Sequence, residues 1–457
     1  MKGMMFKTGR DVEFEVLSAR LINWWILDLD NIEKVVSDGL CTGCGMCAGI
    51  CPIQCIVMQV SEGVFFPNVN ERLCTECHLC LDCCPGRFVN IRELSKLAQG
   101  AEKDSTCKDF PECYVGHSTN ERIRYNASSG GVATQLLVLA LEQGQIDGAI
   151  VTRMKRDNPL EPETIVARTR EEIVNASKSK YCPTATNEAV RSILKQKGRY
   201  AVVGLPCQIH GIRKAEQNVK ALKERIVLHV GLMCSHTVSF HGTDFLLRKM
   251  GLVPEQVASI DYRGLGWPGC MLITQRGGSK TLIPYVGKWN AYWPVFSSFF
   301  FTPKRCLMCP DETNELADIA LGDAWLPELR KERNGESIVI VRTKVGERIL
   351  SLACSNDVIF LRPVDCNAVE LSQAHPIKFK KTDFGSRLSM IQSAGMKIPS
   401  FSLDQNSSFS FFSFARNFVL FFNVKACENR FLKRFLVNVP FAIFRLYYGV
   451  YRLLLLF

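Results

Sequence analysis

Apolar and polar residues follow several different rhythms along the chain, and each rhythm predicts a different kind of element. Ile56 to Val69 (IVMQVSEGVFFPNV) alternates and carries Gly and Pro, which predicts a hairpin between two cysteine-rich runs. Ile91 to Tyr114 is charged and mixed, as a linker would be. From Tyr114 onward strand-like and helix-like stretches take turns. VATQLLVLALEQG (132–144) predicts an apolar helix behind the turn SSGG, and IDGAIVTRM (146–154) a buried strand. SKSKYCPTATNEAVRSILKQKG (177–198) reads as loop then helix, and RYAVVGLPCQIHGIRKA (199–215) as strand, Cys-bearing turn and helix. RIVLHVGLMCSHTVSF (225–240) is another strand ending in a Cys-bearing turn. Such alternation predicts a mostly parallel sheet whose ligands bind beyond the strand C-terminal ends, where Cys207 and Cys234 fall. Shorter strand-like pieces (IDYRG, MLITQRGG, ADIALGDAW, SIVIVRT) between Ser259 and about Val364 predict an α+β extension.

Length divides this pattern into domains. With 457 residues and 47% apolar residues, the chain is long enough for two or three units, and most of it should fold. The expected divisions are a leader at 1–35, a cysteine-rich domain at 36–95, an α/β half at 110–250, a second half at 251–400 and a tail at 401–457. Leu21 to Leu29 (LINWWILDL) is too short to span a bilayer and reads as part of a poorly specified leader or a short docking helix.

Charge singles out one region. The formal net charge is +11, and from Phe411 onward seven Lys or Arg face the single acid Glu428. These basic residues alternate with Phe and Leu, and no RNA- or DNA-binding motif accompanies them, so nucleic acid is not expected as a partner. The end of the chain, VPFAIFRLYYGVYRLLLLF, is broken by Pro440, Arg445 and Arg452, too charged to span a membrane comfortably. In a helix Arg445 and Arg452 fall on one side with Phe, Leu and Tyr around the rest, a pattern for lying in a membrane interface; packing on its own domain or a partner is the alternative.

Twenty-one cysteines carry the chemistry. The N-terminus lacks the continuous apolar stretch and cleavage site of a secretory signal, so reduced thiols and metal are expected in place of a disulfide framework. CTGCGMCAGICP (41–52) and CTECHLCLDCCP (74–85) repeat one spacing, Cys-x2-Cys-x2-Cys-x3-Cys-Pro. In a bacterial-type two-cluster ferredoxin, three thiolates of one loop grip a 4Fe-4S cube while the fourth reaches the other cube. One cluster then takes Cys41, Cys44, Cys47 and Cys84, and the other Cys74, Cys77, Cys80 and Cys51; zinc or disulfides are the alternative. Cys55 and Cys83 fall outside the spacing and are expected to be packing residues. Cys207, Cys234, Cys306 and Cys309 are candidates for a third site, with buried or unpaired thiols as the other reading.

Two further features are weaker on their own. SSGG before a helix offers N–H groups and a helix N-terminus to an anion, although a capped helix start explains Ser128 or Ser129 equally well. LGDAW (321–325) and YRGLGW (262–267) place polar and aromatic groups in loops, for which tight turns with packed Trp suffice.

These motifs occur in an order that resembles one family. SSGG at Ser128, SKSKY (177–181), VGLPCQIHGIR (203–213), GLMCS (231–235), CLMCPD (306–311) and ADIALGDAW (317–325) make the stretch from about Cys107 to Pro376 similar to the beta subunit of coenzyme F-420-reducing hydrogenase. The resemblance extends to its relatives, the F-420-dependent dehydrogenase, the formate dehydrogenase beta subunit and hydroxymethyl chlorophyll a reductase. It implies an FAD in the central domain and one 4Fe-4S cluster beside it, held by Cys207, Cys234, Cys306 and Cys309. It also makes Ser128, Ser129, Gly130 and Gly131 the candidate pyrophosphate cradle, with Lys180, Tyr181, Gly204, Pro206, Gln208, Arg263 and Asp323 as flavin or substrate contacts.

The expected fold class is α+β: a two-cluster ferredoxin domain, then an α/β flavin-binding domain with an α+β extension. The expected function is an iron–sulfur flavoprotein oxidoreductase that passes electrons between 4Fe-4S clusters and an FAD exchanging hydride with a small organic substrate or a deazaflavin-type coenzyme. The alternative is a non-catalytic electron-transfer subunit that wires a partner enzyme to ferredoxin. Expected partners are a redox protein or ferredoxin, a small-molecule substrate and, through the tail, a membrane surface. The expected location is the cytoplasm, peripheral on the inner face of the cell membrane.

Overall fold

The computed structural model describes residues 31–99, 112–401 and 411–456. The poorly specified leader or short docking helix expected at Leu21 to Leu29, and residues 100–111, lie outside the described residues.

Eight strands form the central sheet. They are β1 (Glu112–Ser118), β2 (Gly148–Met154), β3 (Pro162–Ala167), β4 (Tyr200–Gly204), β5 (Ile226–Leu232), β6 (Ile319–Asp323), β7 (Ser337–Val341) and β8 (Ile359–Pro363). Their order across the sheet is β8-β1-β7-β6-β5-β4-β2-β3. The middle is parallel, with Ile319 opposite Val230, Gly204 opposite Gly231 and Ile150 opposite Val202. The flanking pairs β8/β1, β1/β7, β7/β6 and β2/β3 are antiparallel.

The sheet is therefore mixed, which corrects the expectation of a mostly parallel one. ADIALGDAW and SIVIVRT supply β6 and β7 at its centre, and so do not belong to an extension. Only the pieces around IDYRG and MLITQRGG, with Lys280–Pro284, form a separate three-stranded antiparallel sheet. The local pattern is the same in either case: β7 is buried at every position and reads as a continuous apolar run whichever way its neighbours point.

Two helices position the chemistry. α1 (Val132–Glu142) begins at Gly131, whose φ of 75° lies in the left-handed region that glycine adopts without strain. It is apolar nearly all round because it is covered on several sides, Val132 and Leu136 being fully buried. α2 (Pro206–Asn218) follows β4 directly, with Pro at its first position, where a missing N–H costs nothing.

The cysteine-rich N-terminal segment folds as the two-fold repeat in its sequence. Gly43 and Gly45 in the first run, and Glu76 and His78 in the second, have positive φ and lead into the short helices Met46–Ile50 and Leu79–Asp82. The hairpin pairs Ile56 with Val69 and Ser61 with Val64. The segment is fastened onto the α/β body at many points. Lys214 Nζ donates to the carbonyls of Cys84 (2.7 Å) and Phe88 (2.8 Å), and Arg191 donates to those of Ala48 (2.8 Å) and Ile56 (3.0 Å). Apolar residues of both parts share two buried clusters, in which Met46 and Ile50 meet Ile209 and Ile212. The run from Ile91 is not a simple linker: Ile91–Gln99 is a helix, because Ile91 and Leu94 share one face and both are buried.

Among the described residues the last four helices are α3 (Phe384–Ser393), α4 (Phe411–Glu428), α5 (Arg430–Asn438) and α6 (Phe441–Leu456). The inner faces of the last three pack on the body. Arg416 of α4 makes a two-pronged contact with buried Asp383 (2.7 and 2.8 Å), and Asn423 Nδ2 donates to the Ser298 carbonyl (2.7 Å). Phe444 and Tyr451 of α6 are buried. No described helix is long and apolar enough to cross a membrane.

Candidate cofactor site

The sheet and the cysteine-rich segment bring twelve motif cysteines into three neighbouring groups. In the first group, burial pushes the Cys41 thiol far above its ordinary range and Cys44 up to about 11, and in both the charge of Cys84 adds to the rise. The Gly43 N–H donates to Cys41 Sγ (3.4 Å) and works against it. Cys47, raised well above its usual value by burial, feels Cys41, Cys44 and Cys84 in turn. In the second group burial raises Cys80 to about 12, helped by Cys77 and Cys51. Cys55 rises to about 12 for the same first reason and feels Cys51 and Cys74; its Sγ lies 3.5 Å from that of Cys51. Cys55, taken from spacing as a packing residue, is buried and also touches the second group. Cys83 is fully buried, and its thiol also feels Cys80 and Cys84.

The third group sits where strands end. Cys207 is the second residue of α2, just beyond β4, and Cys234 lies just beyond β5, its parallel neighbour. Cys306 and Cys309 come from the turn at Lys304–Met308. Burial raises Cys207 well above its usual value, and the thiols that add to the rise are Cys44, Cys234, Cys309 and Cys306. Asn187 joins the first and third groups, its N–H donating to the Cys44 carbonyl (2.9 Å) and its side-chain amide to the carbonyl of Gln208, the residue after Cys207 (2.9 Å).

Four thiols turned on one another repel as thiolates unless a cation compensates them, so each group suits a metal cluster. Among the described residues no three His, Cys, Asp or Glu side chains converge as they would around a single ion. A cube spreads its four thiolates over separate corners, so the donor sets fit 4Fe-4S clusters better than mononuclear zinc.

Two buried cations beside the third group carry no motif in the sequence. Lys380 is 2% exposed; burial works to lower its pKa, but the thiols of Cys309, Cys234 and Cys306 and the Glu312 carboxyl raise it overall. Arg387 donates through Nε to the Leu307 carbonyl (2.7 Å), and its guanidinium lies 4.0 Å over the Phe379 ring. Both follow the last matching motif, in a stretch with no spacing signal.

A cavity of about 1110 Å³ opens against the third group, and Cys234 is part of its wall. Ser128, Ser129, Gly131, Lys180, Tyr181, Gly204, Gln208, Arg263 and Asp323 also line it, whereas Gly130 and Pro206 do not. Gly130 is a packing position: a Cβ there would lie 2.4 Å from the Gly116 carbonyl oxygen, and its N–H donates to Ser337 Oγ (3.0 Å).

Several of the lining groups already have partners. Ser128 Oγ accepts from the Ser179 N–H (2.7 Å), and Ser129 Oγ pairs with Ser337 Oγ (2.9 Å). Arg263, fully buried, donates to Tyr181 Oη and Asp323 Oδ2, both at 2.9 Å, and to the Ser128 carbonyl. It fastens SSGG, SKSKY, YRGLGW and LGDAW into one wall. Trp267 and Trp325 of the last two loops stand 4.6 Å apart, ring to ring. Lys180 Nζ donates to the carbonyls of Ala176 (2.5 Å), Ser177 (2.6 Å) and Lys178 (2.9 Å), and burial brings its pKa down to about 7. Gln208 accepts from the Leu205 N–H (2.7 Å) and holds Thr184, which places it as a brace at the start of α2. His236, stacked between Phe296 (4.0 Å) and Phe299 (4.1 Å), is kept neutral by burial, its pKa pushed down to about 3.

The residues fit a dinucleotide. α1 starts at Gly131 without a side-chain cap, and Gly131, Val132, Ala133 and Thr134 line the cavity, so a helix N-terminus faces it. Arg263 Nε is buried without a partner in the same wall. Lys378, Arg416, Arg445 and Arg452 also line the cavity.

Two family models for the beta subunit of coenzyme F420 hydrogenase/dehydrogenase match the chain, the N-terminal one over residues 113–191 and the C-terminal one over residues 197–366. The beta subunit of coenzyme F420 hydrogenase from Methanosarcina barkeri is 30% identical over 268 residues, covering 56% of this chain and 83% of that protein. The F subunit of F(420)H(2) dehydrogenase from Methanosarcina mazei is 26% identical over 70% of this chain and 84% of its own. Coenzyme F420-dependent sulfite reductase of Methanocaldococcus jannaschii is 27% identical over 77% of this chain and 51% of its own length. One polypeptide of the F420-reducing [NiFe] hydrogenase complex from Methanosarcina barkeri shares the fold, with a TM-score of 0.50 and 24% identity over 65% of this chain and 97% of that one.

Proposed function

We propose, from the premise that this chain belongs to the coenzyme F420 hydrogenase/dehydrogenase beta subunit family, that it is an iron–sulfur flavoprotein oxidoreductase with three 4Fe-4S clusters and one FAD. A redox role follows from the family itself; the cofactors and the hydride chemistry are our reading. When bound, a flavin exchanges a hydride with an organic substrate and single electrons with iron–sulfur centres.

The observation that carries this reading is continuity. Cys44 of the first cysteine group neighbours Cys207 of the third, and Cys234 of the third stands in the cavity wall. The chain's residues then divide the work. The N-terminus of α1 takes the pyrophosphate, Arg263 and Asp323 hold the wall in shape, and neutral His236 between its two Phe rings keeps the cluster side of the cavity apolar. The substrate is a small organic molecule or a deazaflavin-type coenzyme.

Iron and flavin content per chain after anaerobic purification tests this. About twelve irons with one FAD is the expected result. About eight irons without flavin would favour a second reading, an electron-transfer subunit that wires a partner enzyme to ferredoxin; the relatives named as subunits of larger enzymes are its support.

A further inference from the structure

The tail packs inward with one set of residues and presents another outward. Half of the large apolar side chains exposed among the described residues lie between 411 and 456. Phe411, Phe414, Phe418 and Phe422 repeat at helical spacing along the outer side of α4. On α5, Phe431 is 83% and Phe435 69% exposed, and on α6 Leu446 is 70% exposed beside Ile443, Val450 and Leu453. The nearby loop is joined to this face by Arg445, which donates to the Lys288 carbonyl (2.6 Å); the next residue, Trp289, is 72% exposed. Large apolar side chains left exposed on three successive helices mark a docking surface.

Charge identifies the occupant. The segment from Phe411 carries seven Lys or Arg and one acid, Glu428, which is engaged by Lys425 (2.9 Å). Among the described residues Arg434, beside the exposed Phe pair, has no ionic or hydrogen-bonded side-chain partner, whereas Arg452 belongs to the cavity wall. Outward Phe and Leu edged by unpaired Arg, with Trp at the margin, is the composition of helices lying in a bilayer interface with anionic headgroups.

We infer that α4, α5 and α6 seat the protein on an anionic lipid surface, with Phe431, Phe435, Leu446 and Val450 below headgroup level and Arg434 among the phosphates. Since no described helix can cross a membrane, the attachment is peripheral. Arg445 and Arg452 line the cavity, so α6 takes part in both the docked surface and the cavity wall.

The experiment is flotation of the full-length, anaerobically purified protein with phosphatidylcholine vesicles, with and without phosphatidylglycerol. The protein should float with phosphatidylglycerol vesicles and fall away as salt is raised. Replacing both Phe431→Ser and Phe435→Ser should weaken binding about tenfold or more, with thermal unfolding and iron content unchanged, because both side chains are exposed. Arg434→Glu should weaken binding to phosphatidylglycerol vesicles without altering the fold. A wild-type protein that stays at the bottom with every vesicle overturns the inference, as does a Phe431/Phe435 variant that floats like the wild type. A dimer that this variant splits into monomers, with no flotation of either, assigns the face to a second copy of the chain and also overturns it.

Discussion

Arg263 and Asp323, 60 positions apart in the chain, meet at 2.9 Å in the cavity wall, the guanidinium buried and also bonded to Tyr181. The pair ties the loop between the first two strands of the small antiparallel sheet to the end of β6. Arg263→Met should leave Asp323 facing the cavity uncompensated and lower stability by roughly 3–5 kcal/mol, with loss of bound flavin. Asp323→Asn, which keeps an acceptor, should cost less. Chemical denaturation and flavin absorbance of the two variants check this, and equal losses would show that the pair does not organise the wall.

A second buried network predicts a pH dependence. His229 faces Glu216 Oε1 through Nε2 (2.7 Å) and Asp318 Oδ2 through Nδ1 (3.0 Å), so both ring nitrogens donate only as imidazolium. Burial and Arg213 oppose that charge, but the two carboxylates outweigh them and raise the His229 pKa. A group raised on folding stabilises the protein below its unfolded value of about 6.5 and loses that contribution as pH rises through the folded value. Asp318 and Glu216 are held below their ordinary values despite burial, so their contribution is lost on the acid side. The melting temperature should fall on raising the pH from neutral, and His229→Asn should flatten that alkaline limb while costing on the order of 3–5 kcal/mol at neutral pH. An unchanged limb in the variant would remove His229 as its cause.

Lys380 supplies positive charge beside Cys234, Cys306 and Cys309. Lys380→Met should lower the reduction potential of one cluster, by on the order of 1 kcal/mol of lost Coulomb stabilisation of the reduced form, equivalent to tens of millivolts. The other two potentials should stay put. Potentiometric titration followed by electron paramagnetic resonance reads this, and a shift spread evenly over all three would contradict the placement.

Gly49 sets how closely the cysteine-rich segment approaches the body: a Cβ there would lie 2.0 Å from the Asn187 carbonyl oxygen. Gly49→Ala should cost about 1–3 kcal/mol by forcing the two apart. Gly277, with nothing within 4 Å of its Cβ position, is the control, and Gly277→Ala should be close to neutral. Equal melting temperatures of the two variants would show that the junction gives way freely.

The sequence alone determined whatever depends on neighbours within a few residues. The two cysteine runs, their hairpin, α1 behind SSGG and the placing of Cys207 and Cys234 just past β4 and β5 follow from spacing and periodicity, since turns, caps and strand ends are local chemistry. The family was legible for the same reason, from six short motifs in order. Tertiary structure decided what depends on packing between distant segments. β6 and β7 entered the sheet centre because their buried runs suit any sheet interior, and whether neighbours run parallel is settled only when the whole sheet assembles. Lys380 and Arg387 gained their place beside the third cysteine group from a segment some 70 residues past Cys309's motif, with no spacing to announce it. The tail's alternation of Phe and Arg was visible from the start; only the packing of α4 and α6 on the body divided it into a buried face and an exposed one, because a helix hydrophobic on several sides can bury no more than its partners cover.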